Sequence, residues 1–206
     1  MPLPVSHSLM GATIYAAADR NGTLHSWGRL LLAVILANAP DLDMLPGLLT
    51  GDPNRYHQGP THSMVGAVFA GLAAALLHRY FGTRWLLRSC LPAGPSGTGM
   101  VVGLLWASHV FLDAFTQDFN PPVGVPLLWP FWDRVFNIVP LFPRADKLNG
   151  PGDPIAFARS LLTTHNLWAI SIEVFVLGPV AATMLWWRTR GPCRRAIGAR
   201  QRRRGF

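Results

Sequence analysis

Apolar residues fall into four long runs, each closed by polar or charged positions. The last, Trp168 to Trp187 (WAISIEVFVLGPVAATMLWW), has the ~20 residues a helix needs to cross ~30 Å of hydrocarbon, with aromatic residues at both ends and arginines beyond. It carries Glu173 and Pro179, so one side of it is expected to meet other helices rather than lipid. The other three runs are shorter or interrupted: Leu30 to Leu49, broken by NAPDLD, then Met64 to Leu77 and Met100 to Phe115. Ser8 to Ala18 is a weaker fifth run. From Gln117 to Asn166 the pattern gives way to Pro, Gly and aromatic residues, which predicts an external loop at the membrane interface, where Trp129 and Trp132 suit the headgroups. Together these runs predict an all-α, multi-span helical membrane protein with about 4–5 apolar helices and a Pro/Trp-rich external loop.

Composition supports a lipid environment. Only 14% of the residues are charged, against the ~25% of ordinary soluble proteins, while eight Trp and eleven Phe raise the mean hydropathy. The chain of 206 residues is read as one helical membrane domain over 1–187, with residues 188–206 as a basic cytoplasmic tail. Eight arginines lie in that tail, and without them the +8 chain is neutral. Directly after an apolar run, such a tail reads as a topology anchor rather than a nucleic-acid site, and no specific nucleic acid is expected as a partner. Cys90 and Cys193 have neither disulfide-framework nor thiolate-metal spacing. Ala16-Ala17-Ala18 resembles a signal-peptide cleavage site, but no basic residue precedes it and Ser6, His7 and Ser8 interrupt the apolar core, so the segment is expected to be retained.

Charge asymmetry supplies an independent test of the membrane reading. If the chain crosses at each run, including Ser8 to Ala18, and the tail is inside, thirteen of the eighteen basic residues fall inside, Arg20, Arg29, Arg79, Arg84 and Arg88 among them. The same assignment gathers His7, Asp41, Asp43, His57, His62 and Asp113 toward the outer ends of their helices.

These residues carry the candidate chemistry. His109 and Asp113, in ASHVFLDAFT, are four apart on an expected helix and share a face, so they can hold one divalent ion or simply bond each other. Pro40 disfavours helix at Ala39 and is expected to end or kink its run. Asp41 and Asp43 beside it need partners, because an unpaired buried carboxylate costs several kcal/mol. Asp43 can be a ligand with Asp41 orienting another ligand or binding a second ion, or Asp41 can cap a helix. In HQGPTHS, Gly59-Pro60 turns the chain, Thr61 is placed to N-cap a helix starting at His62, and His57 stays on the loop. Both histidines can then face a site at the electropositive helix end. Thr61, Ser63 and Thr116 are candidate supporting donors. His25, His78 and His165 have no ligand-spaced neighbour and read as structural or exposed. No nucleophile elbow, Walker loop, dinucleotide fingerprint or H-E-x-x-H is present. A His/Asp-rich, cysteine-poor donor set suits an ion that activates water, and the natural reaction is hydrolysis of a phosphoester or related bond.

The N-terminal SH, PDLD, HQGPTHS, HVFLDAFT and GVPLLWPF, between His7 and Phe131, together resemble the inner-membrane metal-dependent hydrolases of the LexA-regulated YdjM type. That resemblance implies a multi-span helical protein of the prokaryotic inner membrane with hydrolase activity. A more distant similarity is to the zinc-dependent phospholipases C and related single-strand nucleases, which use an early His, an Asp, a following His and a later H-x-x-x-D. His7, Asp43, His57, His109 and Asp113 fall in that order, and the similarity implies that they bind metal, with the last four holding one ion. The soluble enzymes continue with a further His/acid cluster, whereas here only His165 follows, with no acid four residues on. One ion, or two with Asp41 or His62, is therefore expected.

The resulting expectation is a membrane-bound hydrolase of phosphoesters, lipid-linked ones included, with zinc as cofactor and manganese as the alternative, and Asp41 or His62 handling protons. Membrane lipids and a small or lipid-linked phosphoester are its expected partners. The rival readings are a non-catalytic metal-binding membrane protein, such as an ion carrier or stress-linked component, and an interaction protein acting through its basic tail.

Overall fold

Pro40 decides the first bend of the chain. Helix α1 (Pro4–Ala18) is followed by α2 (Trp27–Ala37), which stops three residues before this proline. A 3₁₀ turn over Ala39–Asp43 and the short α3 (Met44–Leu49) then continue the run at an angle of 56°. A second 3₁₀ turn, Pro60–His62, leads into α4 (Met64–Phe81), which is followed by α5 (Gly94–Ala114), the short α6 (Pro154–Ser160) and α7 (Thr164–Arg190). The computed structural model describes residues 1–18, 27–52, 54–81, 94–117, 124–147 and 153–190. Arg20, His25, Arg84, Arg88, both cysteines and the arginine tail beyond Arg190 lie outside the described residues.

Three helices are long and apolar enough to cross a membrane: α4, α5 and α7 through Trp187. The bent pair of α2 with its continuation to Leu49 is a fourth if it counts as one span. With 15 residues, α1 is shorter than the ~20 of a full crossing. Large apolar side chains such as Phe69, Leu72 and Phe175 point outward, as lipid-facing helices require.

Because lipid tails are as apolar as leucine, helices in a bilayer gain little from merely hiding apolar surface and associate by close packing of small residues. α4 and α5 meet at Gly71, Gly99 and Gly103, where a Cβ added to Gly71 would stand 2.7 Å from the carbonyl oxygen of Gly99. Gly71→Val is therefore expected to force the two backbones apart at a cost of about 1–3 kcal/mol. Thermal denaturation in detergent should show a clearly lowered midpoint, and an unchanged one would contradict this account. A buried core of Tyr15, Ala33, Ala37, Ala74, Val101, Val102 and Leu105 joins α1, α2, α4 and α5.

The long loop folds onto one end of this bundle. No β-strand forms among the described residues; two isolated bridges, Thr116 with Phe142 and Val125 with Phe136, pin the loop instead. At the second, Gly124 has φ +112° and lies so close to Phe136 that no side chain fits. The Leu127 carbonyl accepts from Met64 N–H at 2.9 Å, fixing the loop to the start of α4. Asn166, at the start of α7, ties Asp146 and Leu161 by three hydrogen bonds of 2.7–2.9 Å.

Candidate metal centre

The C-terminal ends of α2 and α5 meet the N-terminal ends of α1 and α4, and there the candidate residues collect. Each arrives for a local reason. After Pro40 the chain turns as a 3₁₀ helix, and Asp41 N–H bonds Asn38 O at 3.2 Å. At three residues per turn, Asp41 and Asp43 project about 120° apart, neither parallel nor opposed. Between them stands His62, with Asp41 Oδ1 3.4 Å from its Nε2 and Asp43 Oδ2 3.1 Å from its Nδ1. The break also leaves the Ala37 carbonyl free of its helical partner, and His109 Nδ1 takes it at 2.8 Å. A carbonyl only accepts, so Nδ1 carries a proton and Nε2 is the ring nitrogen turned to the site.

That nitrogen enters a cage of imidazole nitrogens and carboxylate oxygens. His109 Nε2 is 3.3 Å from His62 Nε2, 3.3 Å from Asp41 Oδ1 and 3.5 Å from Asp113 Oδ2, and His62 Nε2 is 3.4 Å from the same Asp113 oxygen. Zinc held by N and O donors at ~2.0–2.1 Å in a tetrahedron has donor–donor edges of about 3.3–3.4 Å. His7 extends the group: its ring stacks on that of His109 with centroids 3.7 Å apart, and its Nε2 is 3.6 Å from Asp113 Oδ1. His7, His62, His109 and Asp113 are all buried, yet both nitrogens of His7, Asp41 Oδ1 and both oxygens of Asp113 have no hydrogen-bond partner. Buried polar atoms left in this way are costly, and a bound cation would offset that cost for the lone pairs among them. His7, His109 and Asp113 form one set of donor atoms within 4.8 Å of one another, and Asp41, His62 and His109 form a second. Since His109 offers a single free nitrogen, these two sets describe one five-residue centre.

On the far side of His62 a third set, Asp43, His57 and His62, continues the cluster. His57 Nδ1 is 2.9 Å from Asp43 Oδ1, and Thr61 Oγ1 donates to Asp43 Oδ2 at 2.6 Å. Burial lowers the pKa of His57, with Lys147 adding to the effect against the pull of Asp43. Burial works the same way on His62, but the carboxylates of Asp41, Asp43 and Asp113 outweigh it and its pKa is raised.

All seven candidate residues thus share one end of the bundle, divided differently from the order of ligands that the phospholipase similarity implies. Asp43 and His57 pair on one side of His62, while His109, Asp113 and His7 lie on the other with Asp41. The supporting residues shift as well. Ser63, not Thr61, caps α4, accepting from Gly66 N–H at 3.0 Å, and His62 sits in the preceding 3₁₀ turn. Thr61 turns to Asp43 instead. Thr116 donates back to Leu112 O at 3.1 Å. Asp41 makes no helix cap, since the cap of its 3₁₀ turn is Asn38. His78 pairs with Thr98 at 2.8 Å and His165 with Arg144 O at 2.9 Å, both structural contacts.

Sequence reasoning missed three neighbours. Met1 Sδ lies against His57 Nε2, Lys147 Nζ is 3.3 Å from the same sulfur, and Trp106 Nε1 donates to Thr61 O at 2.7 Å. Only Trp106 left a trace, three residues before His109 on the same helical face.

These features define a helical membrane protein with a buried histidine–aspartate cluster at one end of its bundle. Residues 1–188 match the model of the YdjM inner membrane protein family, and the chain belongs to that family. It matches no curated protein and no solved structure.

Proposed function

We propose that this protein is a membrane-embedded, metal-dependent hydrolase of phosphoesters. The observation that carries the reading is that Asp41 Oδ1 and Asp113 Oδ2 each lie 3.3–3.5 Å from both His62 Nε2 and His109 Nε2, themselves 3.3 Å apart, spacings that match the donor edges of a tetrahedral ion. With His7, they would hold a divalent ion, for which zinc fits the nitrogen and oxygen donors and manganese is the harder alternative. When bound, such an ion polarises a phosphoryl oxygen and makes water a competent nucleophile at neutral pH.

Asp41 and His62 act here as donors to that centre, so the handling of protons passes to His57. Asp43 Oδ1 holds the His57 Nδ1 proton at 2.9 Å, which leaves Nε2 as the basic atom, and the lowered pKa keeps it unprotonated. In the reaction the water oxygen forms a bond to phosphorus as the bond from phosphorus to the leaving oxygen breaks. His57 Nε2 takes the water's proton and returns it to the leaving group. Displacement of the Met1 side chain gives access to this nitrogen. His57→Ala should retain bound metal while losing about 10²–10⁴ in turnover, the usual range for a general base.

The test is to purify the full chain in detergent, quantify bound metal and assay a panel of phosphomonoesters and phosphodiesters for wild type and His57→Ala. Stoichiometric metal without turnover of any ester would discard hydrolysis and leave a metal-binding membrane protein. A carrier also needs polar groups continuing across the bilayer, and His78, the buried polar side chain near the other end of α4, is engaged with Thr98.

The charge bias of the sequence supports an orientation with the cluster toward the outer face and the arginine tail in the cytoplasm. Asp133→Cys, in a chain whose native cysteines are serine, should react with an impermeant thiol reagent added outside intact cells. A cysteine restored at 193 should react only after the membrane is opened. Reaction of both from the same side would reverse this orientation.

A further inference from the structure

α2 and α4 both pack on α5, and between them lies a groove of about 720 Å³, within the ~300–1,000 Å³ typical of ligand pockets. One end of it reaches the cluster: Thr61, which lines the groove, donates to Asp43 and neighbours His62. Trp106 and Trp129 flank that end. The groove then follows α4 past Val65, Phe69 and Ala73 to Leu77, a rise of ~18 Å at ~1.5 Å per residue. One leaflet of hydrocarbon is about half of ~30 Å deep.

Its chemistry is that of a hydrocarbon berth. Thr61 is the one hydroxyl in the lining, and the indole N–H of Trp106 is already given to Thr61 O. Nothing along the α4 wall offers a hydrogen bond, so an aqueous substrate gains nothing there. Small residues at Gly66, Ala70, Ala73 and Ala74 keep the groove open.

We infer that this groove seats one acyl chain of a membrane glycerophospholipid whose phosphate group lies at the His/Asp cluster. The inference rests on the hydrolase reading for the fate of the headgroup but not for the seating of the chain. A chain already in the bilayer gains little by entering an apolar groove except packing. The headgroup must therefore anchor it, and occupancy should depend on the metal.

The experiment uses full-length protein, loaded with zinc, in vesicles containing phosphatidylglycerol with a diazirine on one acyl chain, the label being mapped by peptide mass spectrometry. Label should concentrate on Phe69, Ala73 and Val102 over the lipid-facing Phe175 of α7, and should fall several-fold when zinc is chelated. Ala73→Phe, which fills the groove from an exposed position, should lower it likewise, while Leu72→Phe, outside the lining, should not. Even labelling of all lipid-facing helices, or groove labelling indifferent to zinc, overturns the inference. In parallel, Ala73→Phe should slow hydrolysis of long-chain phosphatidylglycerol and spare bis(p-nitrophenyl) phosphate. Equal effects on both esters would also overturn it. If wild type hydrolyses neither, the hydrolase reading fails, and the labelling still decides whether a lipid chain occupies the groove.

Discussion

Asp113→Ala should leave the purified protein with less than about a tenth of the wild-type metal, because changes at residues that merely orient a ligand already cost ~10–100-fold in affinity. Asp113 does more than orient. Its Oδ2 stands 3.4 and 3.5 Å from the Nε2 atoms of His62 and His109, and its Oδ1 3.6 Å from that of His7, so one carboxylate addresses three imidazoles. All four side chains are buried, and removal of the acid takes one carboxylate from three imidazoles, leaving Asp41 beside His62 and His109 and Asp43 beside His62. Turnover should fall with the metal. Asp113→Asn separates the two consequences, since it keeps the volume while losing the charge: metal should be lost from both variants, and the melting temperature should fall further in the alanine one. Elemental analysis and thermal denaturation measure these outcomes. Stoichiometric metal retained by Asp113→Ala would remove this residue from the centre.

The second large effect belongs to a residue outside the three donor sets. Glu173, buried in α7, accepts from Leu3 N–H at 2.7 Å through Oε1 and from Ser6 N–H at 3.1 Å through Oε2. The Leu3 amide stands just before α1 and the Ser6 amide lies in its first turn, where Ser6 N–H also reaches Leu3 O at 3.2 Å, and a carboxylate is a favoured partner at that end of the helix dipole. His7 follows one residue after Ser6. Glu173→Ala should therefore destabilise the fold by at least the ~0.5–2 kcal/mol of a lost cap, and weaken metal binding because α1 no longer holds His7 against Asp113. Glu173→Gln, which keeps one carbonyl oxygen, should recover part of both losses. A purely structural role would lower the melting temperature of Glu173→Ala while leaving metal affinity and KM for the ester unchanged.

Much of the architecture was legible because a bilayer imposes simple rules. Runs of apolar residues ended in aromatic belts or charges, and these became α2, α4, α5 and α7 near their expected places. The expectation that Glu173 faces protein is met by its hydrogen bonds to α1. Pro40 signalled the bend, because a residue without an N–H cannot continue the helical ladder. The cap of α4 was misjudged by two residues, since Thr61 and Ser63 are both good capping types and only the 3₁₀ turn at Pro60 decides between them.

The sequence by itself determined which residues can carry the chemistry and that they gather at one end of a helical bundle, for helix period and span length are local properties of the chain. Only the tertiary structure decided their division, with His62 standing between Asp41 and Asp43 and the Ala37 carbonyl setting the His109 tautomer. Such contacts join residues 19 to 72 positions apart, and spacing along a chain does not encode the rotation and depth at which separate helices meet.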